Sequence, residues 1–333
     1  MTLVRNLLAL AFLALLAAAG YGAWYVNAPM RFAVPAVEVE IPPGIDFRAA
    51  VGRLERAGVD LGPRRFEILA RLRGQDQEIK AGYYGLAAPM TPLQLLDKLA
   101  RGEIQRVALQ VLEGWTFREL RAALDGSARL RHDTAGMSGA ELLKRIGATE
   151  THPEGLFFPD TYVVARGSSD LALLRHAYRM MQQHLAREWP GRAAGTPYRS
   201  PYEALVMASI VEKETGRAEE REKIAAVLVN RLRIRMALQA DPTVIYGLGQ
   251  DFDGNLRKVH LRTDGPYNTY TRRGLPPSPI ALPGLASLRA ALQPAQSDAL
   301  YYVSRGDGTS QFSRTLREHN RAVSKYQLKP RRQ

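Results

Sequence analysis

The residues best placed to do chemistry are two glutamates in the run Ala208-Ser209-Ile210-Val211-Glu212-Lys213-Glu214-Thr215-Gly216. They close an otherwise apolar helical pattern that begins near Tyr202. Acidic side chains are seldom buried without a partner or a task. A carboxyl held against apolar surface keeps its proton to near-neutral pH and can then act as a general acid on a glycosidic or ester bond. The alternative is an ordinary solvated helix end. On a helix, residues two apart point about 200° away from each other, so at most one of the pair faces any one cleft. The other is left to solvent, or to Arg217 or Arg221. Periodicity does not choose between Glu212 and Glu214, because the pattern is apolar on most sides.

A second source of functional groups lies further along. Residues 238–247 and 267–277 mix aromatics, amides and hydroxyls on a proline-stiffened backbone. Sugar recognition needs flat apolar faces for C–H surfaces and fixed partners for hydroxyls and acetamides. Gln239, Thr243, Tyr246, Asn268 and Tyr270 offer such groups; the plain reading of the same residues is surface loops with internal Asx and Thr turns. Asn230-Arg231 and His319-Asn320 are either further members of a cleft or, respectively, an exposed pair and a structural histidine. Competing chemistries lack their motifs: there is no phosphate-binding glycine loop, no His-Glu-x-x-His and no Gly-x-Ser-x-Gly. Six histidines without ligand spacing and the absence of cysteine argue against a metal site and exclude disulfides. No cofactor or metal is expected.

The elements that must position these groups can be read from the pattern of the chain. At 333 residues, with 46% apolar and 24% charged residues, it has length for about two domains with real cores. Residues 6–30 carry no charge and residues 7–26 are nearly all apolar. Twenty helical residues span roughly 30 Å, the thickness of a bilayer core. Tyr21, Trp24 and Tyr25 cluster at the far end, where amphipathic rings favour the headgroup zone. A cleaved signal ending near Ala17-Ala18-Ala19 is the alternative; the length and the aromatic end favour a retained single-pass helix. That reading places residues 1–6 in the cytoplasm and the body outside.

Residues 36–104 then read as a small α+β module. A strand at 36–41 and another at 81–86 bracket helices at 47–57 and 64–72, and a further helix follows Thr91. Residues 105–328 form a larger mixed α+β domain, and a basic tail occupies 329–333. The larger domain is expected to hold helices at 116–124, 139–146, 171–189, 202–215 (C-capped by Gly216) and 218–238. A turn-rich stretch at 240–283 should precede a helix at 284–292, a strand at 299–304 and a helix at 316–326. The net charge of +13 is spread through amphipathic helices without a recognition motif, which points away from nucleic acid and toward lipid headgroups, an acidic polymer or a plain arginine-rich surface.

Several motifs in fixed order carry a resemblance. They are Glu154-Gly155-Leu156-Phe157-Phe158-Pro159-Asp160-Thr161-Tyr162, the Ala208 to Thr215 run, Asn230-Arg231-Leu232, the Gln239 to Gly247 run, Tyr267-Asn268-Thr269-Tyr270 and Gly274-Leu275-Pro276-Pro277. Together with the apolar N-terminal stretch, they make the chain similar to the YceG-like endolytic murein transglycosylases over nearly its whole length. The resemblance implies a LysM-like module at 36–104 and a catalytic domain at 105–328. It implies a bacterial inner (cytoplasmic) membrane protein, N-terminus in, with a periplasmic or otherwise extracytoplasmic body. It assigns the essential acid to Glu214, with Glu212 as fallback. The implied reaction is non-hydrolytic, endolytic cleavage of the β-1,4 bond between N-acetylmuramic acid and N-acetylglucosamine in nascent peptidoglycan strands. That leaves anhydromuramic ends and terminates strand elongation. Peptidoglycan synthases such as penicillin-binding proteins are implied neighbours. The rivals are a lysozyme-like hydrolase and a non-catalytic, membrane-tethered scaffold that binds cell wall.

Overall fold

The computed structural model describes residues 2–214 and 217–328. The chain opens with α1 (Thr2–Asn27), whose Leu3–Asn27 segment is long and apolar enough to cross a membrane; its most apolar stretch is exposed, and Tyr25 near its C-terminal end is buried in the core. Short strand β1 (Arg31–Phe32) pairs antiparallel with β3 (Val59–Asp60). Strand β2 (Ala36–Ile41) alternates exposed and buried residues, as its period-two sequence requires, and pairs antiparallel with β4 (Gly82–Ala87). Between β2 and β4 lie α2 (Phe47–Arg56), capped by Asp46, and α3 (Pro63–Leu72). Helix α4 (Pro92–Arg101) follows, with a Thr91–Gln94 capping box and Gly102 in the left-handed conformation that its C-cap demands. Val39, Ile41, Val51, Leu54, Phe66, Tyr84, Leu86 and Leu96 form the core of this part.

The chain divides into two compact units, residues 1–108 with 163–168, and residues 109–162 with 169–333. Strands β5 (Arg106–Gln110) and β6 (Thr161–Ala165) pair with each other, and each has residues in both units. The second unit holds α5 (Phe117–Asp125), α6 (Gly139–Ile146), α7 (Asp170–Glu188), α8 (Pro201–Glu214) and α9 (Ala218–Arg233). It continues through α10 (Asp241–Leu248), α11 (Lys258–Arg262), α12 (Leu285–Leu292), the antiparallel hairpin β7 (Tyr301–Ser304) and β8 (Ser310–Ser313), and α13 (Leu316–Val323).

Helix α8 is the axis of this unit. Every residue from Ala204 to Val211 is buried, which is what a helix apolar on all sides must be. It packs on α12, α9, α10 and α7. The mixed α+β class and most helix positions agree with the sequence pattern. Three expectations need correction. The helix expected over 218–238 stops at Arg233, because the chain turns back through Arg235, at φ +56°, so that the Leu238 carbonyl accepts a hydrogen bond from the buried Arg231 guanidinium. The stretch 240–283 is not all turn: α10 and α11 lie within it, and Pro242 sits in the first turn of α10, where no intrahelical N–H bond is lost. The expected strand at 299–304 is shorter and has an unforeseen partner in β8; the helix expected at 316–326 is present as α13 and continues as a π-helix over Ser324–Leu328. The C-cap expected at Gly216 and the tail at 329–333 lie outside the described residues.

Candidate active site

The last turn of α8 separates the two glutamates as the helical geometry requires. Glu212 turns toward the start of α12, where its Oε2 accepts a hydrogen bond from the Gly284 N–H at 2.9 Å. A carboxylate there satisfies an orphan donor and the positive end of the helix dipole. Glu214 points into a cavity of about 270 Å³ lined also by Arg231, Gln239, Asp241, Tyr270, Tyr302 and His319. That is room for roughly one sugar ring, at the small end of ligand sites.

Burial lifts the Glu214 carboxyl from 4.5 to about 7. The hydrogen bond that Tyr302 donates to its Oε2 at 2.7 Å pulls the other way, the negative charge of Asp241 adds to the rise, and Arg231 opposes it. Burial wins because a carboxylate loses more by leaving water than one neutral donor returns. Among the described residues, Oε1 of Glu214 has no hydrogen-bond partner. The acid therefore presents one oxygen held by Tyr302 and one oxygen free for a ligand. Burial and the negative charge of Glu214 push the Tyr302 hydroxyl well above its usual 10, so it remains a donor throughout the working pH range.

The rest of the wall is built from distant segments. Arg231 on α9 is 7% exposed and spends its donors on the carbonyls of Leu300 and Leu238, each at 2.7 Å, with its guanidinium over the Tyr301 ring. Gln239 has φ +51°, a left-handed conformation that a non-glycine residue adopts only when its surroundings enforce it. Here the Gln239 N–H donates to the Thr269 carbonyl and the Ala240 N–H to the Thr269 hydroxyl. Tyr270 donates its hydroxyl to Asp241 at the first turn of α10. His319 stacks on Tyr301, burial lowers its pKa with help from Arg231, and its buried Nδ1 has no hydrogen-bond partner.

The five residues with sugar-binding groups fall into three places. Gln239 and Tyr270 line the Glu214 cavity. Thr243 and Asn268 do not: Thr243 is fully buried and bonds the Ala240 carbonyl and the Thr269 hydroxyl. Asn268 donates to the carbonyls of His260, Leu261 and Thr263 and accepts from the N–H groups of Tyr270 and Thr271. Both therefore brace the backbone that carries Gln239 and Tyr270. Tyr246, from the next turn of α10, lines a different cavity of about 590 Å³ with Glu154, His152, Arg118, Lys213, Phe252 and Tyr267. Sequence reasoning missed Tyr302 and Asp241 in the first cavity. The Asp-Pro pair that opens α10 was the available signal for Asp241; nothing local marks Tyr302.

Glu154 is a second unusual carboxyl. It is 3% exposed, and burial raises it from 4.5 to about 7 against hydrogen bonds from the Phe117 N–H to Oε1 (2.8 Å) and the Tyr246 hydroxyl to Oε2 (3.1 Å). Elsewhere, Asp125, His132 and Asp170 bring ligand atoms within 4.8 Å of one another. Both Asp170 oxygens there accept bonds from Thr134, which commits that carboxylate to its own loop.

The model of the YceG-like family matches residues 39–325. The chain is 31% identical over 312 residues to the endolytic murein transglycosylase of Bacillus subtilis, covering 87% of this chain and 84% of that protein. It is 28% identical over 363 residues to the endolytic murein transglycosylase of Streptococcus pneumoniae serotype 2, covering 95% of this chain and 64% of that one. The crystal structure of a YceG-like protein from Listeria monocytogenes superposes with a TM-score of 0.55 at 29% identity, over 86% of this chain and 98% of the other. The chain belongs to the YceG-like family.

Proposed function

We propose that this chain is a lytic transglycosylase that cleaves peptidoglycan strands internally at the β-1,4 bond between N-acetylmuramic acid and N-acetylglucosamine. The observation that carries the reading is Glu214: a carboxyl kept protonated to about pH 7 by burial, with Oε1 unengaged among the described residues, in a cavity for one sugar ring. The relatives named endolytic murein transglycosylase support the substrate.

In the proposed reaction, Oε1 gives its proton to the glycosidic oxygen as the C1–O4 bond breaks and positive charge develops on the muramic ring. The carboxylate so formed is steadied by the Tyr302 hydrogen bond and the field of Arg231. It then removes the proton from the C6 hydroxyl of the same sugar as O6 closes onto C1. One residue serves as acid and then as base, water is not consumed, and the product is a 1,6-anhydromuramic end that no longer accepts new sugar units. Gln239, Tyr270 and His319, which line the cavity, are the residues we assign to substrate hydroxyls and acetamide.

The remaining parts fit an enzyme held at a membrane. We read α1 as a single-pass anchor in the bacterial inner membrane with the body extracytoplasmic. The order β2, α2, α3 and β4, interrupted only by the two-residue β3 between the helices and with β2 and β4 paired antiparallel, supports a LysM-like module. Peptidoglycan synthases such as penicillin-binding proteins are proposed partners, since they make the strands this enzyme would end. The test is digestion of uncrosslinked nascent glycan followed by mass spectrometry. Anhydromuramic ends from the wild type and none from Glu214→Gln are expected; reducing ends would make it a hydrolase, and no cleavage would make it a scaffold.

A further inference from the structure

Helix α3 carries a face that neither the catalytic reading nor the core explains. It buries Phe66, Leu69 and Ala70. On the opposite side Ile68 and Leu72 are 57% and 83% exposed, one helical turn apart, with Arg64, Arg65 and Arg71 exposed beside them. Apolar side chains that large are ordinarily covered when they recur on one face. The charges are free to serve a partner: Arg73 is held by Asp97 and Glu67 by Arg48, but Arg64 and Arg71 have no carboxylate partner among the described residues.

The position of α3 decides what covers that face. Its first turn is fastened to the C-terminal end of α1. Arg65 donates to the Tyr21 hydroxyl at 2.8 Å and lies over the Tyr25 ring, and the Tyr25 hydroxyl donates to the Leu61 carbonyl at 2.6 Å. Tyr21 and Trp24 are exposed on that same end of α1, the place where aromatic rings settle at a membrane boundary. A basic, half-apolar helix pinned there is at headgroup depth. We propose that the Arg64–Ile68–Leu72 face of α3 is an interfacial membrane-binding surface, with Ile68 and Leu72 entering the acyl boundary and Arg64 and Arg71 contacting anionic lipid headgroups. This rests on the reading of α1 as an anchor. Its consequence is orientational: a second contact, added to α1, sets the angle at which the attached module meets the bilayer.

The chain has no cysteine, so single nitroxide labels can be placed cleanly on the full-length protein reconstituted in vesicles. Labels at Leu13→Cys, Ile68→Cys, Leu72→Cys and, as an exposed reference, Glu78→Cys are compared by collision with oxygen, which concentrates in lipid, and with a water-soluble nickel chelate. The vesicles are phosphatidylcholine alone or mixed with phosphatidylglycerol. Labels at 68 and 72 should favour oxygen over nickel relative to position 78. Phosphatidylglycerol should strengthen that preference, and Arg64→Gln with Arg71→Gln should reverse the gain by about fivefold per charge removed. Water-like accessibility at 68 and 72 in both lipids, with Leu13 deep in hydrocarbon, overturns the proposal and leaves the face to a protein partner. Equal immersion with and without phosphatidylglycerol overturns the headgroup contact. Water-like accessibility at Leu13 itself overturns the anchor reading instead.

Discussion

Two carboxyls in the same unit, Glu154 buried and Glu214 half-buried, are lifted to about pH 7 by the same cause, yet their surroundings differ. Glu154 is the more buried, and both of its oxygens are taken, one by the Phe117 N–H and one by Tyr246. Glu214 holds one bond, from Tyr302, and faces a cavity with Asp241, Arg231 and His319 around it. A perturbed pKa therefore does not single out the acid. What differs is that, among the described residues, Oε1 of Glu214 has no hydrogen-bond partner, and the side chain lines a cavity. Glu154 bridges the start of α5 and α10; Glu214 is the residue we propose as the proton donor.

The sharpest way to break that contrast is to neutralise each in turn. Glu214→Gln should lower turnover of glycan strands by about 10³-fold or more, the scale of losing a positioned acid and base. Glu154→Gln should cost less than about tenfold in kcat, with unchanged products. Equal losses in two folded variants, judged by circular dichroism alongside product release, would erase the distinction. Glu212→Gln belongs on the Glu154 side of the comparison: its bond is to the N-terminus of α12, so activity per folded molecule should survive.

A second contrast separates wall from bracing. Asn268 is 5% exposed and engages three carbonyls and two N–H groups, so Asn268→Ala should destabilise the unit by about 2–4 kcal/mol in urea unfolding. Gln239→Ala touches only the cavity wall and a long contact from Arg231. It should raise KM severalfold with little change in the unfolding midpoint. Should Gln239→Ala destabilise as much as Asn268→Ala, the strained backbone at 239, not the side chain, would be the functional element.

These pairs also show where sequence reasoning reached and where it stopped. The apolar run of α8 announced a core helix, and its final turn announced that only one of two glutamates could enter a cleft. Periodicity left the pair open and the resemblance chose Glu214; its hydrogen-bond partner Tyr302 arrives from β7, 88 positions further along, and no local pattern marks it. Thr243 and Asn268 looked like sugar contacts because their groups hydrogen-bond to anything. Only the fold shows that backbone carbonyls and N–H groups have claimed them. Pro242 and the surrounding glycines hid α10, since a proline in the first turn of a helix and one in a loop look alike in a window of residues. Glu154 sat in a recognised motif, but nothing local signalled that Tyr246, 92 residues away, would close over it.

The shared pKa rise has a shared thermodynamic consequence. Near pH 4.5 and below, both carboxyls are protonated whether or not the chain is folded. Between about 4.5 and 7 the unfolded chain releases protons that the native state keeps, so the native state loses stability as pH rises, and above about 7 the cost is constant. Glu214→Gln and Glu154→Gln should each be more stable than the wild type at pH 8, by about 1–3 kcal/mol once the partial exposure of Glu214 is allowed for. The gain should vanish by pH 4. A stability gain without loss of activity for Glu154→Gln, against a gain with complete loss for Glu214→Gln, would mark the second as the residue that pays for function.

The smallest effect tests the finest part of the contrast, the single bond that each tyrosine donates. For the wild type, kcat/KM should hold steady at low pH and fall as pH rises through about 7, because the acid must start protonated. Tyr302 favours the carboxylate, so Tyr302→Phe should move that falling limb to higher pH by up to about one unit, the worth of one hydrogen bond to a charged group. It should also lower kcat a few-fold, since the same bond steadies the carboxylate formed during cleavage. Tyr246→Phe removes the equivalent bond from Glu154 and should leave the limb in place. A limb that follows Tyr246 and ignores Tyr302 would mean that the titration seen in catalysis belongs to Glu154, and the roles of the two carboxyls would have to be exchanged.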